Sequence, residues 1–426
     1  MRSALVVALS TLVLGGCDEE TLDSSRRLGD TTFVFSSSPR RGAASLREIS
    51  RLGMMDGPPE YLLGMFPMFT VGPGGDLFVA DGELRQYDTD GRYVRTIARR
   101  GAGPGEVRAV AGMDISADGL LAVLDFGNRR VSVFSYDGNL VREIRYPSLG
   151  RPGYGRDVIR WDAQGQLWIA LNPPRTGPDT LEVRQRPLFG RLIDHEEVGD
   201  TVFLPTRAWE GCERRLPVYA GGFFEDTRIP HMPFAHWTRS RTGTLAFGCS
   251  ASYVIDIAEP EEGVTRVSRA WDPPMRTSEE TEYYSEVFRR PIPRPPGTEL
   301  ARLPPIPNFP RERPAFLRLW FSEEGRMWVW RGAVGWSRAT TEEERQQSPS
   351  LPRVIWEYWH ATDGFDVFDA NGRWLGHVNT PETWDADPYP GIIDPYFKGD
   401  TLWAVVKEEL DVRYIVRFEV EWPSPG

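Results

Sequence analysis

The chain has 426 residues, of which 40% are hydrophobic, 26% charged and 12% aromatic. That composition can build a large core, and it excludes both a disordered chain and a membrane-spanning bundle. A formal net charge of −11 argues against a surface made for nucleic-acid phosphates.

Met1-Arg2 is a short positive start, and Ala4–Gly16 is an apolar run of 13 residues. The run is shorter than the roughly 20 residues that span a bilayer. It ends Leu14-Gly15-Gly16-Cys17, with small residues directly before a cysteine. This resembles a bacterial lipobox: the glycines fit a narrow peptidase cleft and the thiol carries the lipid. Cys17 is therefore expected to be the lipidated first residue of the mature protein, with residues 1–16 a signal peptide. An ordinary secretory signal with a chance cysteine is the other reading. No other segment approaches membrane length, so membrane contact is expected through the anchor alone. The expected location is the bacterial cell envelope, on its periplasmic or surface side. Residues 17–45 are small and polar and read as a flexible tether, with one short strand at Thr32–Phe35.

From residue 46 onward the recurring unit is a turn glycine followed by a short alternating apolar strand. Six copies align: Gly75-Asp-Leu77-Phe-Val79, Gly119-Leu-Leu121-Ala-Val123, Gly165-Gln-Leu167-Trp-Ile169, Gly243-Thr-Leu245-Ala-Phe247, Gly325-Arg-Met327-Trp-Val329 and Asp400-Thr-Leu402-Trp-Ala404. In the sixth copy Asp takes the place of the glycine. Residues two apart on a strand share a face, so the repeat predicts one buried stripe six times over. The spacings between turns are 44, 46, 78, 82 and 75 residues. The first two suit a four-stranded propeller blade, and the others require insertions of about 30 residues. A second turn recurs at Asp88-Thr-Asp90-Gly91, Ser135-Tyr-Asp137-Gly138 and Asp369-Ala-Asn371-Gly372. Asp or Asn before Gly suits hairpins; calcium chelation is the alternative, but the distal bidentate Glu is missing.

Gly101-Ala-Gly103-Pro104-Gly105-Glu106, Met113-Asp114-Ile115-Ser-Ala-Asp118-Gly119 and Asp125-Phe-Gly127-Asn128-Arg129-Arg130-Val131-Ser-Val133-Phe134 resemble an NHL repeat. Residues 46–426 as a whole are similar to bacterial six-bladed β-propeller lipoproteins of NHL type. The resemblance implies an all-β, six-bladed propeller and says little about a ligand. Only three strands are evident after Pro395, so Leu46–Leu52 is expected to supply the fourth and close the last blade. A short helix is expected over 277–290, a proline-rich connector over 291–314 and a second insertion over 333–358.

Cys212 and Cys249 are the only cysteines after Cys17. In an oxidising compartment they are expected to form a disulfide, with a buried free thiol as the alternative. The five histidines form no metal-binding motif, and neither a nucleophile elbow nor a phosphate loop is present. The polar residues ahead of the turn glycines are the candidates for contact with a ligand. Arg160, Arg318, Asp114, His236 and Asp394 lie on or near the innermost strands and would line the axial channel. The alternative is that they pair with one another between blades, as Asp114 with Arg160.

The first functional expectation is a membrane-anchored binding module for a small polar molecule, a glycan, a peptide or an envelope protein, with no cofactor. The alternative is an NHL-type metal-dependent lyase or lactonase-like hydrolase, with calcium or another divalent metal on the axis and Asp114, His236 and Asp394 among its ligands.

Overall fold

The structure, a computed structural model, describes residues 24–145, 158–171, 188–194, 197–203, 205, 212, 216–220, 223–227, 233, 235–260, 263–278, 281–282, 311–332, 337–339, 341–347, 354–356, 362–381, 383–384, 394–408 and 412–424. Three strands precede the first blade: β1 (Ser24–Leu28), β2 (Thr31–Ser36) and β3 (Gly42–Leu52). Blade one is β4 (Met68–Val71), β5 (Leu77–Asp81), β6 (Glu83–Tyr87) and β7 (Tyr93–Ala98). Blade two is β8 (Val110–Ile115), β9 (Leu121–Asp125), β10 (Arg130–Phe134) and β11 (Leu140–Arg145). Blade three is β12 (Ile159–Trp161), β13 (Leu167–Leu171), β14 (Leu188–Asp194) and β15 (Glu197–Phe203), followed by a separate hairpin, β16 (Leu216–Ala220) and β17 (Phe223–Thr227).

Blade four is β18 (Ala235–Arg239), β19 (Leu245–Cys249), β20 (Val254–Glu259) and β21 (Gly263–Arg269). Blade five opens with β22 (Arg318–Phe321) and β23 (Met327–Gly332). The hairpin β24 (Ser337–Ala339) and β25 (Val354–Trp356), with helix α1 (Glu342–Gln347) between its strands, comes before the blade resumes with β26 (Thr362–Phe368) and β27 (Trp374–Val378). Blade six is β28 (Tyr396–Lys398), β29 (Thr401–Lys407) and β30 (Arg413–Glu421), with β3 as its outermost strand.

The six-fold stripe is the core. Leu77, Leu121, Leu167, Leu245, Met327 and Leu402 are all buried, as are Val79, Val123, Ile169, Phe247, Val329 and Ala404. Each inner hairpin turns on a glycine with positive φ, which only glycine adopts without strain. In the sixth blade that glycine is Gly399, at φ 57°, and not a substitute at Asp400. The turn there is one residue shorter, with Lys398 opposite Thr401. In the outer turns, Asp88 Oδ1 accepts from the amides of Asp90 and Arg92, and Asp369 Oδ1 from those of Asn371 and Arg373. Those oxygens hold their own turns, which favours the hairpin reading over calcium.

β3 closes blade six as expected, running antiparallel to β30 from Ser45 opposite Glu421 to Leu52 opposite Ile415. It begins earlier than Leu46, and Gly42–Ala44 also pair in parallel with β27 of blade five. The expectation of a flexible tether over 17–45 needs correction within its described part. β1 and β2 form a hairpin, and β2 lies parallel to β21 from Thr31 opposite Val264 to Ser36 opposite Arg269. Blade four therefore has six strands. The polar composition concealed this because an edge hairpin needs only one inward row, here Val34 and Ser36.

Cys212 and Cys249 are disulfide-bonded, with Cα atoms 5.5 Å apart. The bond ties the connection between blades three and four to β19. On the chain-entropy argument, closing a loop of 37 residues stabilises by about 4 kcal/mol. Within the helix expected over 277–290, Thr281 N donates to Thr277 O, one helical turn; residues 291–310 of the proline-rich connector lie outside the described residues.

Candidate functional site

The inner strands β4, β8, β12, β18, β22 and β28 surround the axis and all run the same way. The ring therefore has two faces. The mouth face is where these strands begin, and the turn face carries the glycine turns. The candidate residues divide between them.

Near the turn face, Asp114 is almost wholly buried, and its partner is not Arg160 but Arg241. Arg241 follows β18 in the turn of blade four and reaches across to three other blades. Its Nη1 and Nη2 donate to the two Asp114 oxygens at 2.9 Å each, a bidentate pair with blade two. Nη1 also donates to the Trp161 carbonyl of blade three at 3.2 Å, and Nε to Glu323 of blade five at 2.5 Å. Asp114 additionally accepts from Trp161 N at 2.7 Å. Burial works against the Arg241 charge, but the Asp114 and Glu323 carboxylates outweigh it and raise the guanidinium pKa.

Arg160 is 4% exposed; it donates to the Arg239 carbonyl at 3.1 Å and lies 3.9 Å from Glu323. Arg239 stacks over Trp168 at 4.2 Å, and Trp168 donates to Asp162 at 2.7 Å. Burial, partly offset by Asp162 and reinforced by the Arg160 charge, lowers the Arg239 pKa.

At the mouth face Arg318 and Asp394 form a pair at 3.1 Å, with the guanidinium 5.4 Å from the Trp320 ring. His236 lies against Phe316, ring centroids 5.5 Å apart. Asp114 is far along β8 while Asp394 precedes β28, so the strand direction separates them along the axis. Among the described residues no three His, Cys, Asp or Glu side chains gather where a metal could sit. Cys17, His195, His231 and His360 lie outside the described residues.

Sequence reasoning missed Arg241 and Glu323, although a signal was present. Two places before the turn glycine the column reads Pro73, Ala117, Ala163, Arg241, Glu323 and, in the shortened sixth turn, Lys398. Opposite charges at equivalent turns of consecutive blades, in a ring whose turns converge, are placed to meet.

The segment that resembles an NHL repeat is engaged in holding the connection between blades one and two. Asp125 is wholly buried and accepts from Arg108 N at 2.9 Å, Ala109 N at 3.0 Å, Asn128 N at 3.2 Å and Asn128 Nδ2 at 2.7 Å. Asn128 also donates to the Gly101 carbonyl at 2.9 Å, and Arg130 to the carbonyls of Gly103 and Glu106. Asp125→Ala should cost about 3–5 kcal/mol, since it strands several buried donors at once. Urea unfolding at neutral pH measures this; a loss below about 1 kcal/mol would show that the four bonds do not hold the loop.

A second polar cluster lies off the axis between blades four and five. Asp366 is wholly buried; it accepts from Tyr253 Oη at 2.6 Å, lies 2.7 Å from Arg269 Nη1 and is hydrogen-bonded to His377 Nδ1 at 3.0 Å. Burial raises its pKa, but the His377 bond and the charges of Arg269 and Arg331 outweigh that and lower it on balance. Its folded pKa is thus below the unfolded value of about 3.9, so its contribution is full above that pH. The contribution is lost as the pH falls through the lowered folded value. Asp366→Asn should therefore flatten the acid limb of a stability–pH profile, and an unchanged limb would count against the pairing.

The DUF5128 family, described as a 6-bladed beta-propeller, matches residues 75–155. None of the curated proteins matches the sequence. Among solved structures the chain is similar to a DUF4221 family member from Bacteroides vulgatus, with a TM-score of 0.48 and 10% identity over 90% of this chain and 100% of that one. It is similar to a protein described as exported from Bacteroides fragilis, with a TM-score of 0.46 and 10% identity over 93% of this chain and 99% of that one. It is also similar to virginiamycin B lyase from Staphylococcus aureus, with a TM-score of 0.38 and 13% identity over 88% and 98% of the two chains. The six blades, the closure of the last by β3 and the match over blades one and two make this chain a six-bladed β-propeller.

Proposed function

We propose that this protein is a lipid-anchored propeller of the bacterial cell envelope that binds a ligand or partner protein and does no chemistry on its axis. The observation that carries this reading is the Asp114–Arg241–Glu323 network. A metal-dependent site needs carboxylates free to ligate, and these are neutralised by a guanidinium that ties four blades together. Arg160 belongs to the same interior. Arg318 and Asp394, paired at the mouth, are the polar groups placed to meet a ligand, and guanidinium suits directional bonds to carboxylates or sugar hydroxyls. The anchor rests on the Leu14–Cys17 motif.

Two measurements test the reading. Cys17→Ser should leave uncleaved precursor or a soluble form, and normal membrane retention of the mutant would remove the anchor. Elemental analysis of protein purified without chelators should find no stoichiometric metal. A bound metal with hydrolytic or lyase turnover lost in Asp114→Asn or His236→Ala would replace the binding module with an enzyme.

A further inference from the structure

We infer that the mouth face of the ring rests on the lipid bilayer, with the loop from Gly53 to Pro67 inserted among the lipids as a second attachment. The inference rests on the lipid anchor proposed above and extends it from attachment to orientation.

The first observation is where the chain enters the fold. β1 is antiparallel to β2 and β2 is parallel to β21, with Ser24 opposite Phe35 and Phe35 opposite Ser268. β21 ends toward the mouth side, so Ser24 lies at that end of blade four's outer rim, beside Ser36, whose Oγ accepts from Trp374 N of blade five's outer strand. Because β1 and β2 are built into that blade, only Asp18–Asp23 separate the lipidated cysteine from fixed structure. At about 3.5 Å per residue, seven steps reach at most about 25 Å. The mouth-face end of blade four therefore stays close to the membrane. A 28-residue tether would have allowed the propeller any orientation.

The second observation is independent of the anchor. The loop joining β3 to β4 climbs from the outer rim beside blade one, where Tyr93 N donates to Tyr61 Oη, to the mouth, where Gly64 N donates to Asp81 at the end of β5. It exposes Met54 (42%), Met55 (65%), Leu62 (41%), Met65 (62%) and Phe66 (43%). Tyr61 and Leu63 of the same loop pack inward on the cluster of Leu52, Phe69 and Tyr87, so the exposed side chains stand on a fixed base. Met275, 55% exposed, lies on the crossover from blade four to blade five, again on this face. An apolar group of this kind on a soluble surface marks an interaction site, and methionines adapt to an irregular, fluid partner.

The charges favour lipid inserted by its apolar part over an anionic surface. The loop contains Asp56 and Glu60 and no basic residue, and the chain as a whole is at −11. A bilayer with few anionic headgroups is thus the better partner. Anchoring makes the loop's insertion an intramolecular step, so a modest affinity is enough to hold the face down. The attachments fall on opposite sides of the ring opening, which leaves the Arg318–Asp394 pair facing the headgroups and Arg241 facing away.

The test uses the mature lipidated protein in phosphatidylcholine vesicles. An environment-sensitive fluorophore is attached through Met65→Cys, and in a separate variant through Asp118→Cys, an exposed turn-face position. Expected are a blue-shifted emission and several-fold stronger quenching by nitroxide-bearing lipids for the label at position 65, with the label at 118 remaining aqueous. If the protein floats with the vesicles and both labels are aqueous, the anchor stands and the face-down orientation is overturned. If it does not float, the anchor itself has failed and the orientation fails with it. The double variant Met55→Asp/Met65→Asp alters only exposed side chains. It should still float yet lose the quenching at a label placed through Leu62→Cys; retained quenching would contradict insertion of this loop.

Discussion

Deleting residues 42–52 is expected to abolish the cooperative fold, the largest effect of any change considered. β3 supplies the outer strand of blade six and touches blade five at Gly376–Val378. Its removal exposes the edge of β30 and withdraws Ala44 and Leu52, both buried. A strand of this length makes several ladder bonds at about 1 kcal/mol each, besides the apolar burial of Leu52. Together these approach the roughly 5–15 kcal/mol by which a domain is stable at all. The ring would also lose the contact that joins the start of the chain to its end. Limited proteolysis and size-exclusion chromatography measure the outcome; a monomeric, protease-resistant deletion variant would show that blade six holds with three strands. Leu52→Ala, which keeps the strand, should cost about 2–5 kcal/mol and serves as the graded comparison.

Arg241→Ala should be the most damaging single substitution on the axis, at about 3–5 kcal/mol. The residue leaves Asp114, only 1% exposed, with its bidentate partner gone and its charge buried. Glu323 loses its contact at 2.5 Å and the Trp161 carbonyl loses a donor. Arg241→Lys should recover part of the loss, because an ammonium keeps the charge but cannot form the two-pronged bond. Urea unfolding of the three proteins ranks them. Equal stability of the Ala and wild-type forms would show that the axis tolerates the uncompensated carboxylates.

What could be read from the sequence was whatever the repeat imposes on every blade. The apolar stripe from Leu77 to Leu402 follows from the period-two pattern behind a turn, and the Leu46–Leu52 strand from the need for a fourth strand. Departures from the repeat were harder to see. The turn of blade six puts its positive φ at Gly399, one residue before the position the alignment favoured. β1 and β2 are too polar for a core strand and are held by an edge that the sequence does not display. The candidate site was legible as a set of polar inner-strand residues but not as pairs. Alignment places Asp114 and Arg160 in neighbouring blades, which suggests that they meet. Arg241, on a turn where the blades converge, spans the axis and takes Asp114 instead.

The central claim is that the axial charges hold the ring together. A double-mutant cycle measures it most directly, with Asp114→Ala, Arg241→Ala and the double variant compared with wild type by urea unfolding. A coupling of about 2–3 kcal/mol between the two positions is expected, because Arg241→Ala alone leaves the Asp114 charge buried, and truncating Asp114 as well removes that charge. Additivity within about 0.5 kcal/mol would contradict it and return both residues to the list of groups available to a ligand.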